Sequence, residues 1–233
     1  GFAWRFANGD VDLIVRPDRT RDAVVAPLLA WAEERHRATP PASGRPLTAW
    51  ALESNAALRQ ALTRTGYTRA DGHYVHRARS LADPPPPVAV PDGYTVRAVA
   101  GLDEAPLRAE VHRRAFRSAR VTDAGYRRLM EVDGYDPDLD VVAVAPDGAF
   151  AAFTLAWLDP TLALGLFEPV GTTPDHQRRG LARAVGVEAL RRLRDRGATT
   201  ALVGAHGEDP ASNALYESLG FREVARNVAF VRV

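Results

Sequence analysis

One stretch constrains the fold of this chain more than any other: Gln177-Arg178-Arg179-Gly180-Leu181-Ala182, set between an apolar strand and a strongly helical segment. Upstream, Leu162 to Thr173 reads as a strand that ends in a Gly-Thr-Thr-Pro turn. Downstream, Leu181, Val185, Ala189 and Leu193 recur at helical spacing, and Ala182, Gly186 and Leu190 widen the stripe. A strand that bends into a helix N-terminus leaves several backbone N–H groups unpaired and aimed at one point, which attracts phosphate. Gly180 carries no Cβ to block an anion, and Arg178 and Arg179 add fixed positive charge.

A second motif follows one strand later. After a strand over Thr199–Ala205, Asn213-Ala214-Leu215-Tyr216-Glu217-Ser218-Leu219-Gly220-Phe221 reads as a short helix. Leu215 and Leu219 mark its buried face, Asn213 and Tyr216 share a neighbouring face, and Gly220 suits a left-handed helix end. The first motif resembles the Gln/Arg-x-x-Gly-x-Gly/Ala pyrophosphate loop of the Gcn5-related N-acetyltransferases (GNAT), with Ala182 at the last position. The second resembles that family's Asn-x-x-x-x-x-x-Gly-Phe segment, in the expected order and separation. Together they cover roughly residues 92–233, about one domain.

Asp83-Pro84-Pro85-Pro86-Pro87-Val88 marks a boundary, because consecutive prolines favour a stiff extended spacer and cannot continue a helix. The sequence therefore divides into 1–82, a proline-rich linker at 83–91, and 92–233. In the last segment the expected elements are a strand at Tyr94–Ala100, helices at Asp103–Arg117 and Thr122–Val132, and a hairpin of Asp140–Ala145 with Ala149–Leu158. The Leu162–Thr172 strand, the Gly180–Arg196 helix, the Thr199–Ala205 strand and the Asn213 helix follow. Strands near Phe221–Ala225 and Val228–Val233 close the chain. This order matches the GNAT fold, a mixed-sheet α/β class.

The first 80 residues repeat the end of the pattern. Val11–Val15, the Ala23–Arg37 helix, Leu47–Ser54, the helix from Asn55 to Gly66-Tyr67 and His73–Ser80 would form a degenerate partial GNAT-like repeat. Arg16-Pro17-Asp18 parallels Thr173-Pro174-Asp175. Thr20-Arg21-Asp22-Ala23 stands where Gln177–Gly180 stands, so an anionic side chain and a Cβ occupy the anion site. The tyrosine position falls on Leu58 or Leu62. The alternative is an unrelated α/β segment. The two-repeat arrangement is loosely similar to that of the mycothiol synthases, which implies a small-molecule amine as acceptor.

Composition narrows the chemistry. All 30 basic residues are arginine, the net charge is +1, and there is no cysteine. Disulfides, thiolate metal sites and a cysteine acyl intermediate are thereby excluded. A P-loop NTPase is disfavoured because the loop lacks a Gly-Lys-Ser/Thr ending. The charge balance calls for neither nucleic acid nor an anionic membrane, and no metal-ligand spacing is present. The arginines at 191, 192, 194 and 196 read as a solvated helix face near its C-terminus. With no ~18-residue apolar run and no signal peptide, a cytoplasmic protein is expected. The first residue is Gly1, so the natural chain is expected to extend upstream.

The resemblance implies an acetyl-CoA-dependent N-acetyltransferase, with acetyl-CoA as co-substrate and no metal. A non-catalytic acyl-CoA-binding sensor or assembly module is the alternative. It also implies a bulged strand that splays from its neighbour. The N–H groups of Val170, Gly171 and Thr172 would then bind pantetheine, and Gln177, Arg178, Arg179, Gly180, Leu181, Ala182 and Asn213 the rest of the cofactor. Pro169 is tolerable at such a bulge. Glu168, in an apolar run, is the candidate base, expected to be partly desolvated and so raised in proton affinity; alternatively it bonds a neighbouring strand or faces solvent. Tyr216 is the candidate acid, because a phenol of pKa ~10 can protonate a thiolate of pKa ~8.5; alternatively it caps the core. His176 either contacts phosphate or sits in a turn, and His206 either forms a proton path or sits in a turn. Phe116, Arg117, Tyr126, Tyr135 and Trp157 divide between an acceptor pocket and plain core or rim.

Overall fold

The computed structural model describes residues 1–16 and 21–232. Its chain forms two compact units. The first comprises Gly1–His76, Ala205–Pro210 and Glu223–Val233; the second comprises Arg77–Gly204 and Ala211–Arg222. These units do not follow the proline boundary alone. The chain-final strand is counted in the first unit, and Arg77–Ser80, ahead of the prolines, in the second. Strand pairing recruits segments by hydrogen-bonding edge rather than by sequence proximity, and a linker composition cannot reveal that.

In chain order the first unit begins with β1 (Phe2–Arg5) and β2 (Asp10–Ile14), an antiparallel hairpin. Next come α1 (Arg21–Ala38), β3 (Thr48–Leu52), α2 (Ala56–Arg64) and β4 (Thr68–Ser80). β3 runs parallel to β2, and its other edge pairs antiparallel with the final strand. Val11, Leu13, Val25, Leu29, Ala49, Ala51, Leu58, Leu62, Val228 and Phe230 bury a single core. The order strand–helix–strand–helix–strand recurs over residues 164–231, as expected for a degenerate partial copy. Pro17, Asp18 and Thr20 of the expected loop remnant lie outside the described residues. Leu58 and Leu62 are both buried in the unit's core, so neither alternative for the missing tyrosine leads to a reactive position.

The second unit carries β5 (Thr95–Ala98), α3 (Ala105–Phe116), α4 (Asp123–Leu129), β6 (Asp140–Val144), β7 (Phe150–Asp159) and β8 (Leu164–Thr172). Then follow α5 (Leu181–Asp195), β9 (Thr200–His206, in this unit to Gly204), α6 (Pro210–Ser218, in this unit from Ala211) and β10 (Arg222–Val231), of which this unit holds only Arg222. β10 is one continuous strand where two were expected. β5, β6, β7 and β8 form an antiparallel meander, and β9 runs parallel to β8. β7 is buried from Phe150 to Ala156 because helices cover both of its faces. On one side Val111 of α3 meets Val99, Val142, Phe150 and Phe153. α5 packs on the sheet with Leu181, Val185, Ala189, Leu190 and Leu193 inward. A Cβ at Gly186 would lie 2.7 Å from Leu219, so glycine there sets the close contact between α5 and the end of α6.

A fully buried ion pair joins α3 to β6. Arg108 Nε donates to Asp140 Oδ1 at 2.8 Å, and both side chains are inaccessible. The hydroxyls of Tyr126 and Tyr135 donate to Asp140 Oδ2. The guanidinium also lies 3.8 Å from the Phe153 ring centroid and 4.8 Å from that of Tyr126. Burial, reinforced by the Asp140 charge, pushes both phenols well above the usual tyrosine range. Removing one partner of a buried pair strands the other. Arg108→Met should therefore destabilise the protein by about 3–5 kcal/mol in urea unfolding, against a change within about 1 kcal/mol for exposed Arg127→Met.

Candidate active site

β8 and β9 pair only from Leu164↔Thr200 to Phe167↔Val203. Immediately beyond, the β7–β8 register shifts, so that Glu168 and Pro169 together oppose Leu155. This is the β-bulge expected at Pro169, and the proline falls where no ladder donor is needed. Past the bulge, Val170, Gly171 and Thr172 resume pairing with Thr154, Phe153 and Ala152. Thr173 N–H donates to Ala151 O at 2.9 Å, which fixes the alternation of the ladder. Gly171 N–H consequently faces β7, whereas those of Val170 and Thr172 face away from it, on the edge that β9 has left. Gly171 must be glycine: a Cβ would lie 2.8 Å from the Phe153 ring and 2.9 Å from Ala115 Cβ.

The bulge is tied down by Trp157, whose indole N–H donates to Glu168 O at 2.9 Å. That carbonyl lies in the irregular part of the ladder, so a side chain satisfies it instead. The Glu168 carboxylate is exposed, not partly desolvated as expected from its apolar neighbours in sequence. The bulge interrupts the strand's alternation just where β8 loses β9, so an apolar run no longer predicts burial at 168.

From Thr173 the chain turns toward α5. Thr173 is fully buried and bonded to Ala151 O through both its N–H and its hydroxyl. A short 3-10 turn, Pro174–His176, follows. His176 sits in this turn, its Nδ1 2.7 Å from the Tyr94 hydroxyl, and Arg114 pairs with Asp175. Gln177 Nε2 donates to Thr172 O at 3.4 Å. Arg178 and Gly180 adopt left-handed conformations, at φ 59° and 79°. Gly180 is the N-cap of α5 and offers no side-chain cap, and the space beyond its α-carbon is open. The first-turn N–H groups of Leu181, Ala182 and Arg183 thus lack a capping side chain and sit at the positive end of a 15-residue helix dipole. Exposed Arg178 and Arg179 flank this end.

α6 begins at Pro210, a turn earlier than Asn213, which places Asn213 inside the helix. Its Oδ1 accepts from Arg77 Nη2 at 2.8 Å. Tyr216 is 6% exposed, edge-on to Phe221 at 6.0 Å, and Phe221 is edge-on to Phe167 at 5.6 Å. The aromatic chain thus links Tyr216 to the last residue of β8 that still pairs with β9, next to Glu168. Tyr126 belongs to the buried ion-pair cluster, while Tyr135 leans edge-on to Trp157 at 6.4 Å. Phe116 is 48% exposed at the end of α3, followed by left-handed Arg117. His206 belongs to the first unit, edge-on to Tyr74 at 5.4 Å. On α5 and its end, Arg191, Arg192 and Arg196 are paired with Glu188, Asp195, Asp136 and Asp138. Among the described residues, no three His, Asp or Glu side chains gather as a metal site, and no helix is long and apolar enough to cross a membrane. Sequence reasoning missed Arg77, Tyr94 and Arg114; none lies in a motif, and only tertiary packing brings them to Asn213, His176 and Asp175. It named Trp157 without its bond to the bulge.

Trp157→Phe keeps the ring but deletes the donor. It should lower stability by about 0.5–1.5 kcal/mol and speed amide exchange at Gly171 and Thr173, measured by hydrogen–deuterium exchange. Exchange there at the wild-type rate would show that the indole does not hold the bulge.

The family model described as "FR47-like protein" matches residues 155–231, which run from the second half of β7 through β8, the loop, α5, β9 and α6 to the end of β10. A mycothiol acetyltransferase of Thermomonospora curvata is 31% identical over 230 residues, covering 96% of this chain and 73% of the relative. A mycothiol acetyltransferase of Paenarthrobacter aurescens is 30% identical over 184 residues, covering 75% of this chain. The chain spans 57% of that relative's length. Among solved structures, a GCN5-related N-acetyltransferase from Sphaerobacter thermophilus superposes with a TM-score of 0.77 at 23% identity, covering 98% of this chain and 74% of that one. Fold, loop and relatives agree, and the chain belongs to the Gcn5-related N-acetyltransferase family in which those mycothiol acetyltransferases stand.

Proposed function

We propose that this chain transfers an acetyl group from acetyl-CoA to the amine of a small molecule. The observation that carries the reading is the continuity of two donor sets. The outward N–H groups of Val170 and Thr172 lead directly through Thr173–Arg179 into the uncapped N-terminus of α5. A ligand with an amide-bearing arm and a pyrophosphate matches that sequence of donors: the arm adds to the free edge of β8, and the pyrophosphate seats on the helix end. The small-molecule amine is supported by likeness to the mycothiol acetyltransferases.

The chemistry is a direct attack. The amine nitrogen bonds to the thioester carbon, the carbonyl oxygen becomes an oxyanion, and collapse breaks the C–S bond. An outward N–H at the splay stabilises the oxyanion. Glu168 takes the proton the amine must lose, directly or through a water. Its exposure in the free protein leaves it accessible to an incoming amine, and bound substrates would then exclude water from it. Tyr216 gives its proton to the departing thiolate and recovers one from solvent.

Gly180→Glu places a carboxylate in the open space where the pyrophosphate seats. A side chain at φ 79° costs about 1–2 kcal/mol, which a folded domain tolerates, so the variant tests the site itself. Calorimetry should show acetyl-CoA binding lost; wild-type affinity in the folded variant would remove the assigned site.

Tyr216→Phe should lower kcat by ~10²–10⁴-fold while acetyl-CoA affinity stays close to wild type. Glu168→Gln should shift the pH–rate profile upward, toward pH values at which the amine is already neutral, and spare amines of low pKa. Normal turnover with Tyr216→Phe, or an unmoved profile with Glu168→Gln, would take that residue out of the mechanism. If both variants match wild type while acetyl-CoA still binds, the non-catalytic binding module is the better description.

A further inference from the structure

Arg77 lies ahead of the proline segment, outside both motifs, yet it belongs to the second unit with Arg77–Ser80 of β4. Its side chain is buried, at 6% exposure. One guanidinium nitrogen, Nη2, donates to Asn213 Oδ1 at 2.8 Å. The other, Nη1, is buried without a hydrogen-bond partner. Among the described residues no carboxylate pairs with it. A buried cation with only a neutral amide for company is costly, and such a group calls for an acceptor or counter-charge. Arg108, the other deeply buried arginine, also has unbonded Nη1 and Nη2, but its charge is met by Asp140 and its guanidinium lies over the Phe153 and Tyr126 rings.

Arg79 is two residues further along the same strand face and also reaches α6, but at its far end. There Nη1 donates to Leu219 O, beside left-handed Gly220. Arg79 therefore ties the helix C-terminus to the strand, while Arg77 reaches the side chain that the second motif assigns to the cofactor.

We infer that Arg77 is an acyl-CoA-binding residue: its buried, unpartnered Nη1 donates to an acceptor on the acyl-CoA arm beside Asn213, and Nη2 holds the Asn213 side chain by its oxygen. This rests on the acyl-CoA site proposed above. The interaction satisfies the orphaned donor and gives the buried charge an electron-rich partner, so both should appear as affinity.

The test is acetyl-CoA affinity by calorimetry on full-length Arg77→Met and Arg77→Gln, with Arg79→Met as control and thermal unfolding confirming that each is folded. Met keeps the apolar stem and removes the charge; Gln retains a donor for Asn213 without the charge, and serves if Met fails to fold. The expected result is a Kd raised about ten- to a hundred-fold in both Arg77 variants and within twofold of wild type in Arg79→Met. Wild-type Kd in both Arg77 variants overturns the inference. So does an equal loss in Arg79→Met, which would mean that both arginines merely brace α6. Gly180→Glu separates this failure from the larger one. If Gly180→Glu loses binding and the Arg77 variants keep it, only Arg77 has been misassigned. If Gly180→Glu binds normally, the site itself has been misplaced.

Discussion

The site depends on one strand losing a neighbour. β8 pairs with β9 for four residues, Leu164 to Phe167, and then stops while its ladder with β7 continues. Beyond that point one edge of β8 has donors and acceptors and no strand to take them. An unmet backbone donor is tolerable only where water or a ligand can reach it. Exposure of Glu168 and partial exposure from Pro169 to Thr172 show that the edge is open. The bulge is the device that parts the strands: two residues against Leu155 bend β8, and Trp157 holds the bend in place. A regular strand would have carried the pairing to its end and closed the cleft.

Such an edge is useful only if its position is fixed, and the rigidity comes from the opposite face of β7. Gly171 sits against Phe153 and Ala115 with no room for a methyl group. Phe153 is in turn stacked under Arg108, whose charge is met by Asp140 and two phenols. α3 is thereby bound to the sheet by packing and by a charge cluster that tolerates few alternative arrangements. Replacing such a cluster by apolar residues is often neutral for stability, so its value here lies in the placement of α3 rather than in net free energy. α3 also sends Arg114 to Asp175 at the entrance of the loop. One helix thus constrains the free edge of β8 and the turn that leads to α5.

Both motifs were legible in the sequence because each contains residues whose backbone or side-chain requirements are local. Gly220 needs a left-handed conformation, and a proline in a strand needs a bulge; both are found. Element order in the second unit was legible for the same reason, since helical stripes and apolar runs are local patterns. What was not legible depends on register. Glu168 was expected to be desolvated from its apolar neighbours, but alternation fails at the bulge. Arg77 reads as one arginine among 30 until β4 is seen to place it in the second unit. The compact units cross the proline linker, and β10 runs unbroken through Arg226 and Asn227, where sequence suggested a gap.

Comparison of the two repeats shows what a small local change does to an asparagine. In the first repeat Asn55 stands just before α2 and is its N-cap, its Oδ1 accepting from Leu58 N–H at 3.2 Å. That oxygen is committed to the helix end, as short polar side chains at that position usually are. In the second repeat α6 starts at Pro210, so Asn213 lies within the helix and has no end to cap. Its oxygen is instead held by Arg77. The residue three positions on follows the same logic: in α2 it is Leu58, buried in a core, and in α6 it is Tyr216. One extra turn at the start of a helix therefore moves the asparagine from the helix end onto the helix side, where Arg77 meets it. A tyrosine placed at Leu58 would leave Asn55 bonded to the helix end, so that change alone would not reproduce the arrangement around Asn213.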